Sequence, residues 1–150
     1  NLLRSSTYPD HEADQGVHEF TYALYPHPGD HVEGEVDRAG YELNIPPGVI
    51  SLDSSGDGSM NNTMSFMEVE AGNIVVGAVK KAEDSNAVIV RLYENSGAGA
   101  TTDIRLLFPF KSVHLVNMME EEIEKLHTEG EKVRLCFRPY EIHTIKVCVD

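Results

Sequence analysis
Ala87-Val88-Ile89-Val90-Arg91-Leu92-Tyr93 is the stretch on which the fold turns. Its β-branched run, with a charge set into it, is the signature of a strand with at least one buried face. Turn residues bound it: Asp84-Ser85-Asn86 before, and Ser96-Gly97-Ala98-Gly99 after. Similar runs recur on both sides, at Ile74 to Val79, Ile104 to Phe108, Val113 to Asn117, Val133 to Phe137 and Ile142 to Val149. A seventh stands near the N-terminus, where His18, Phe20, Tyr22 and Leu24 alternate with Glu19, Thr21, Ala23 and Tyr25. Strands spaced by about ten residues, with Pro109-Phe110 and Arg138-Pro139 among their connections, predict a mainly β chain folded as an antiparallel β-sandwich. Ser96 to Ala100 reads as a hairpin turn between two of the strands, which excludes a phosphate-cradling role for its glycines.

One helix interrupts this pattern, near residues 30–44. Asp30 is a capping residue with Glu33 three positions on, the spacing of a capping box. Val32, Val36, Ala39 and Leu43 then form a stripe at helical spacing, and Pro46-Pro47 ends the helix. Gly34 and Gly40 weaken it, by about 1 kcal/mol each relative to Ala, so packing must hold it. Ser51 to Thr63, rich in Ser, Gly, Asp and Asn, predicts a flexible surface loop. Glu120-Glu121-Glu122 reads as a solvated face or turn. Residues 1–150 fit a single β-sandwich domain or part of one. Leu2-Leu3-Arg4 has the look of the middle of a strand, which gives the expectation that the natural polypeptide continues upstream.

Composition narrows the function classes. A formal charge of −13 lacks the basic stripe that phosphate binding needs, so no nucleic acid and no anionic membrane surface is expected as partner. Apolar runs are too short to span a bilayer. Two cysteines, Cys136 and Cys148, make no disulfide framework and read as thiols on neighbouring strands, which points to a cytoplasmic protein.

His27 and His31 have the spacing of a helical zinc pair, but Pro28 and Gly29 between them forbid that helix. Asp53, Ser55, Asp57 and Gly58 match the opening of a calcium loop whose last ligand position is Met64, a side chain with no carboxylate to offer. Asp10, Glu12 and Asp14 cluster before the strand at His18; paired carboxylates about 5–10 Å apart are what glycoside hydrolysis requires, and a solvated loop is what such a cluster ordinarily is. No metal site is expected in this chain. Arg91, Tyr93 and Glu94 are candidates for a buried polar contact.

Four segments in order carry a resemblance. They are Leu2 to Asp10 continuing through Ala13-Asp14-Gln15-Gly16; His18 to His27; Lys80-Lys81-Ala82-Glu83 with Arg91-Leu92-Tyr93-Glu94; and Arg138-Pro139-Tyr140-Glu141-Ile142-His143-Thr144-Ile145. Together they resemble the C-terminal region of glycoside hydrolase family 38 α-mannosidases, in the branch with bacterial and cytosolic members. The resemblance implies a portion of a galactose-mutarotase-like super-sandwich. It also implies a parent enzyme with an N-terminal α/β catalytic domain and a helical domain, both outside this chain, as this chain's partners. Zinc and the aspartate nucleophile would sit in that catalytic domain, so this chain itself holds no cofactor and is expected to be inactive alone. The loop from Asp10 to His18 would approach the cleft, with Asp10, Asp14 and Gln15 lining the α-mannoside site. Some relatives carry an arginine where Gln15 stands, so hydrogen bonding is kept there and charge is not. His18, Phe20, Tyr22 and Leu24 read as core or interdomain packing. A sheet cut from its parent also predicts self-association into a homo-oligomer. The competing reading is a free-standing carbohydrate-binding or protein-interaction β-module, which the absence of Trp platforms disfavours.

Overall fold
The computed structural model describes residues 3–51 and 62–149. It divides into two compact units, Asn1–Ile50 and Ser51–Asp150.

The second unit is the sandwich. Among the described residues nine strands, β1 (Met67–Val69), β2 (Ile74–Lys81), β3 (Val88–Glu94), β4 (Ala100–Leu106), β5 (Ser112–Val116), β6 (Glu122–Leu126), β7 (Thr128–Glu129), β8 (Lys132–Phe137) and β9 (Ile142–Cys148), form two sheets. One has the order β1-β4-β8-β7 and the other β2-β3-β9-β5-β6. Every pairing is antiparallel. Alternation builds the core. Val133, Leu135 and Phe137 are buried on β8 while Arg134 and Cys136 are exposed. Val90, Leu92, Ile145, Val147 and Val113 from the larger sheet close over Ile104, Leu106 and the β8 residues from the smaller one. A fully buried aliphatic side chain of this kind contributes about 1.5–3 kcal/mol.

Most expected strands are present within a residue or two. β4 begins earlier than expected and ends at Leu106, because Thr102, Ile104 and Leu106 carry its buried face. Phe108 lies beyond it, stacked on Phe66 with centroids 4.3 Å apart. Three readings are corrected. The acidic run is a solvated face only at Glu121 and Glu122: Glu120 is buried, and Glu122 opens β6, an edge strand that pairs with β5. Ser96 to Ala100 is not a hairpin, since β3 and β4 belong to different sheets and the segment crosses between them. Cys136 and Cys148 likewise lie on strands of different sheets rather than on neighbours, and both are free thiols.

The first unit contains α1 (Val36–Asn44) and no strand among its described residues. The capping box forms: Asp30 Oδ1 accepts from the Val32 and Glu33 amides at 2.9 Å each, and the Asp30 amide donates back to Glu33 Oε2 at 3.2 Å. It closes only a turn, because Glu35 adopts a left-handed backbone (φ 49°) and the helix starts afresh at Val36. The alternating stretch His18 to Tyr25 is not paired into any sheet, and Phe20, Tyr22, Leu24 and Tyr25 are exposed rather than core. Asp53, Ser55, Asp57, Gly58 and most of the expected flexible loop lie outside the described residues, as does Leu2.

Candidate functional site
The loop that the resemblance points to is a closed turn. The Tyr8–Pro9 peptide is cis, and Asp10 follows it. Asp10 Oδ1 accepts from the Glu12 amide at 2.9 Å, and the Gln15 amide donates to the Glu12 carbonyl at 3.1 Å. The Gln15 side chain reaches back through Nε2 to the His11 carbonyl at 3.2 Å. Asp14 sits in the left-handed region (φ 58°), and its carbonyl lies 2.8 Å from His18 Nε2. Asp10, Asp14 and Gln15 are thus gathered within six residues of chain, all exposed. Asp10 and Gln15 hold the loop's own backbone with their side chains, while Asp14 contributes its carbonyl to that work. The geometry can present polar groups to a ligand. It builds no pair of carboxylates buried enough to divide acid from base.

Among the described residues no three His, Cys, Asp or Glu side chains converge as a metal would require. His27 Nδ1 is engaged locally, with the Pro28 carbonyl at 3.1 Å.

Glu94, a candidate from sequence only for a buried polar contact, is the centre of one end of the sandwich. Its side chain is buried. Oε1 accepts from Asn73 Nδ2 at 2.9 Å, from the Ser96 amide at 2.8 Å, and from the Ser96 hydroxyl. Oε2 accepts from the amides of Gly97 at 2.8 Å and Tyr140 at 2.9 Å. Burial by itself would raise its pKa, but the bonds from Ser96, Tyr140 and Asn73 outweigh that and hold the carboxyl far below the ordinary range. No cation is among these partners, so hydrogen bonds alone balance a buried charge. Both connections that Glu94 grips cross between the sheets: 95–99 leads from β3 to β4, and 138–141 from β8 to β9. The Glu94 amide donates to the Glu141 carbonyl at 3.0 Å, and Arg138 Nε binds Glu141 Oε1 at 2.9 Å. Asn73 Nδ2 also reaches the Gly99 carbonyl at 3.1 Å. Two of the four segments that carry the resemblance therefore meet here, in a structural bracket. Of its companions, Arg91 reaches Thr144 Oγ1 at 3.2 Å.

A second polar cluster lies on the outer face of the smaller sheet. Arg134 Nε and Nη2 bind the two oxygens of the mostly buried Asp103 at 2.7 and 3.0 Å, directly across β4 and β8. Lys132 stands between Asp103 at 3.5 Å and Glu70 at 3.6 Å. The Arg134 bond, more than burial opposes it, keeps Asp103 below the usual carboxylate range. Its charges are matched within the protein, so it reads as a cross-strand clasp.

The antiparallel two-sheet sandwich has a counterpart among known protein families. Residues 73–145 match the profile described as glycosyl hydrolases family 38 C-terminal beta sandwich domain, and this part of the chain is a domain of that family. It is 33% identical over 97% of its length to "Alpha-mannosidase G" of Dictyostelium discoideum and 31% identical over 97% to "Alpha-mannosidase 2C1" of Mus musculus. It is 25% identical over 98% to "Alpha-mannosidase" of Saccharomyces cerevisiae. The chain spans 14% of the length of the first two relatives and 15% of the third. No helix among the described residues is long and apolar enough to cross a membrane.

Proposed function
We propose that this chain is the non-catalytic C-terminal β-domain of a larger, zinc-dependent, retaining α-mannosidase, where it supports the catalytic domain and frames the sugar cleft. One observation carries the reading: almost the whole chain aligns with α-mannosidases of which it makes up only 14%. Its partners are then the N-terminal catalytic and helical domains of the same polypeptide, and the substrate of the whole is an α-mannoside. Hydrolysis with retention needs a nucleophile and an acid some 5 Å apart, which this reading assigns to the catalytic domain. The β-domain contributes rigidity. Glu94 fixes two sheet crossings without a flexible cation, and the turn at Asp10 to His18 is pre-formed by its own hydrogen bonds. Within the cleft we assign Asp10, Asp14 and Gln15 to the lining, with Asp14 the member whose side chain the loop does not use. The free, exposed thiol of Cys136 suits a reducing cytoplasm.

The test is hydrolysis of an aryl α-mannoside with added zinc, comparing this chain with the same polypeptide extended upstream. Turnover by the extended protein alone is expected. Turnover by the 150-residue chain itself would refute the assignment. In the extended enzyme, Asp14→Ala is expected to lower kcat/KM by roughly tenfold, about 1.4 kcal/mol of transition-state binding. An unchanged value would remove Asp14 from the cleft.

A further inference from the structure
The segment from Val17 to Pro26 has the pattern of a strand and the surroundings of none. It runs from Val17 to His27 without a turn or bend, and no backbone hydrogen bond is recorded for it among the described residues. Every residue from Val17 to Pro26 is exposed, Val17 and Leu24 by 94% and Tyr22 by 76%. The unit that contains it has no apolar core to receive these side chains, since Gly34 is its one buried position among the described residues. Period-two alternation puts Phe20, Tyr22 and Leu24 on one side and Glu19, Thr21 and Ala23 on the other. A helix would scatter the aromatic row around its circumference. An extended segment with a row of apolar side chains and unpaired amides is satisfied in both respects by one kind of partner, the open edge of a β-sheet.

We propose that residues 18–25 add as a strand to a sheet edge contributed by another part of the larger polypeptide, with the Phe20-Tyr22-Leu24 row covered by that sheet's apolar layer. The inference rests on the reading of the chain as part of a longer α-mannosidase. The occupant is chosen on the relatives' length, six-sevenths of which lies outside the aligned region. It would make this segment the element that joins the β-domain to the rest of the enzyme, beside the turn at Asp10 to His18.

Amide hydrogen exchange tests it, measured by mass spectrometry on the extended polypeptide and on the 150-residue chain at two concentrations. In the extended protein, alternate amides across 18–25 are expected to exchange roughly 100-fold more slowly or better, and in the 150-residue chain at the rate of an open segment. Tyr22→Pro, which deletes a donor, is expected to release that protection in the extended protein while leaving exchange in β3 and β9 slow. Fast exchange across 18–25 in the extended protein overturns the inference even if that protein hydrolyses mannosides. Slow exchange already present in the 150-residue chain overturns it too, a concentration-dependent slowing pointing to a second copy instead. Protection without any mannosidase activity would keep the strand and sink the functional reading.

Discussion

Replacing Glu94 tests whether hydrogen bonds alone hold the two sheet crossings. Glu94→Ala removes the acceptor of the Ser96, Gly97 and Tyr140 amides and of Asn73 Nδ2. A buried donor left unpaired costs about 1–3 kcal/mol. Tyr140 is exposed and Ser96 and Gly97 are half-buried, so water can satisfy part of the loss. Counting about two donors as stranded gives about 2–6 kcal/mol, a large share of the roughly 5–15 kcal/mol that holds a domain together. Glu94→Gln keeps the shape and one oxygen but turns an NH2 toward donors, and is expected to cost about 2 kcal/mol. Urea unfolding followed by circular dichroism reads both, with the midpoint shifted and the slope unchanged. The pH dependence has a definite sign. Because the folded-state pKa lies below the ordinary 4.5, the stabilisation is complete above pH 4.5 and is lost as pH falls through the folded-state value. Below pH 4.5 wild type therefore loses up to about 1.4 kcal/mol per pH unit from this group, and the deficit of Glu94→Gln shrinks in parallel. A Glu94→Ala variant within about 0.5 kcal/mol of wild type at neutral pH would refute the bracket.

Further expectations concern neighbouring residues. Gly97 is left-handed (φ +74°), and a Cβ there would lie 2.6 Å from Tyr140 Oη, whereas Gly130 (φ +61°) has open space around it. Gly130→Ala should cost about 1 kcal/mol and Gly97→Ala about 2, with Tyr140→Ala in the same chain returning the second to the level of the first in thermal unfolding. Leu92, fully buried between the sheets, should lose about 2–5 kcal/mol on truncation to Ala by chemical denaturation. The Arg138 hydrogen bonds lower the Glu141 pKa to about 2, so their stabilisation is present above pH 4.5 and fades as pH falls toward 2. Carbon-detected NMR titration should find this carboxyl still ionised at pH 3, and Arg138→Met should move its midpoint upward.

How much of this was legible beforehand varies with the element. β3, β8 and β9 announce themselves, because each buries alternate or successive apolar residues and burial leaves a periodic trace, while β2 and β5 show in their β-branched composition although β2 buries only Ile74 and β5 only Val113 and Val116. β1 and β7, with three and two residues, are too short to show any period. β6 is exposed at four of its five positions, so Glu122-Ile123-Glu124-Lys125 carries charge where a burial signal would otherwise stand. Val36, Ala39 and Leu43 mark the helix, while the capping box marks only the turn before it. Its late start was not legible, because the left-handed Glu35 is a backbone event with no compositional mark.

The site divides in the same way. That Asp10, Asp14 and Gln15 share one turn follows from their proximity in sequence, and the local hydrogen bonds that close it join residues two to four apart. Glu94 has local partners in Ser96 and Gly97, but its role depends on Asn73 and Tyr140, 21 and 46 residues away. Likewise Asp103 finds Arg134 only through the β4–β8 register. The sequence by itself determined the sandwich class, the acidic surface and the strand-like row of residues 18–25, because periodicity and charge are local properties. Tertiary structure alone decided which sheet each strand joined, that 95–99 crosses between sheets instead of turning back, and that a carboxylate is buried there without a cation. Those outcomes depend on which distant donors reach a common point, and that convergence is a property of the folded chain.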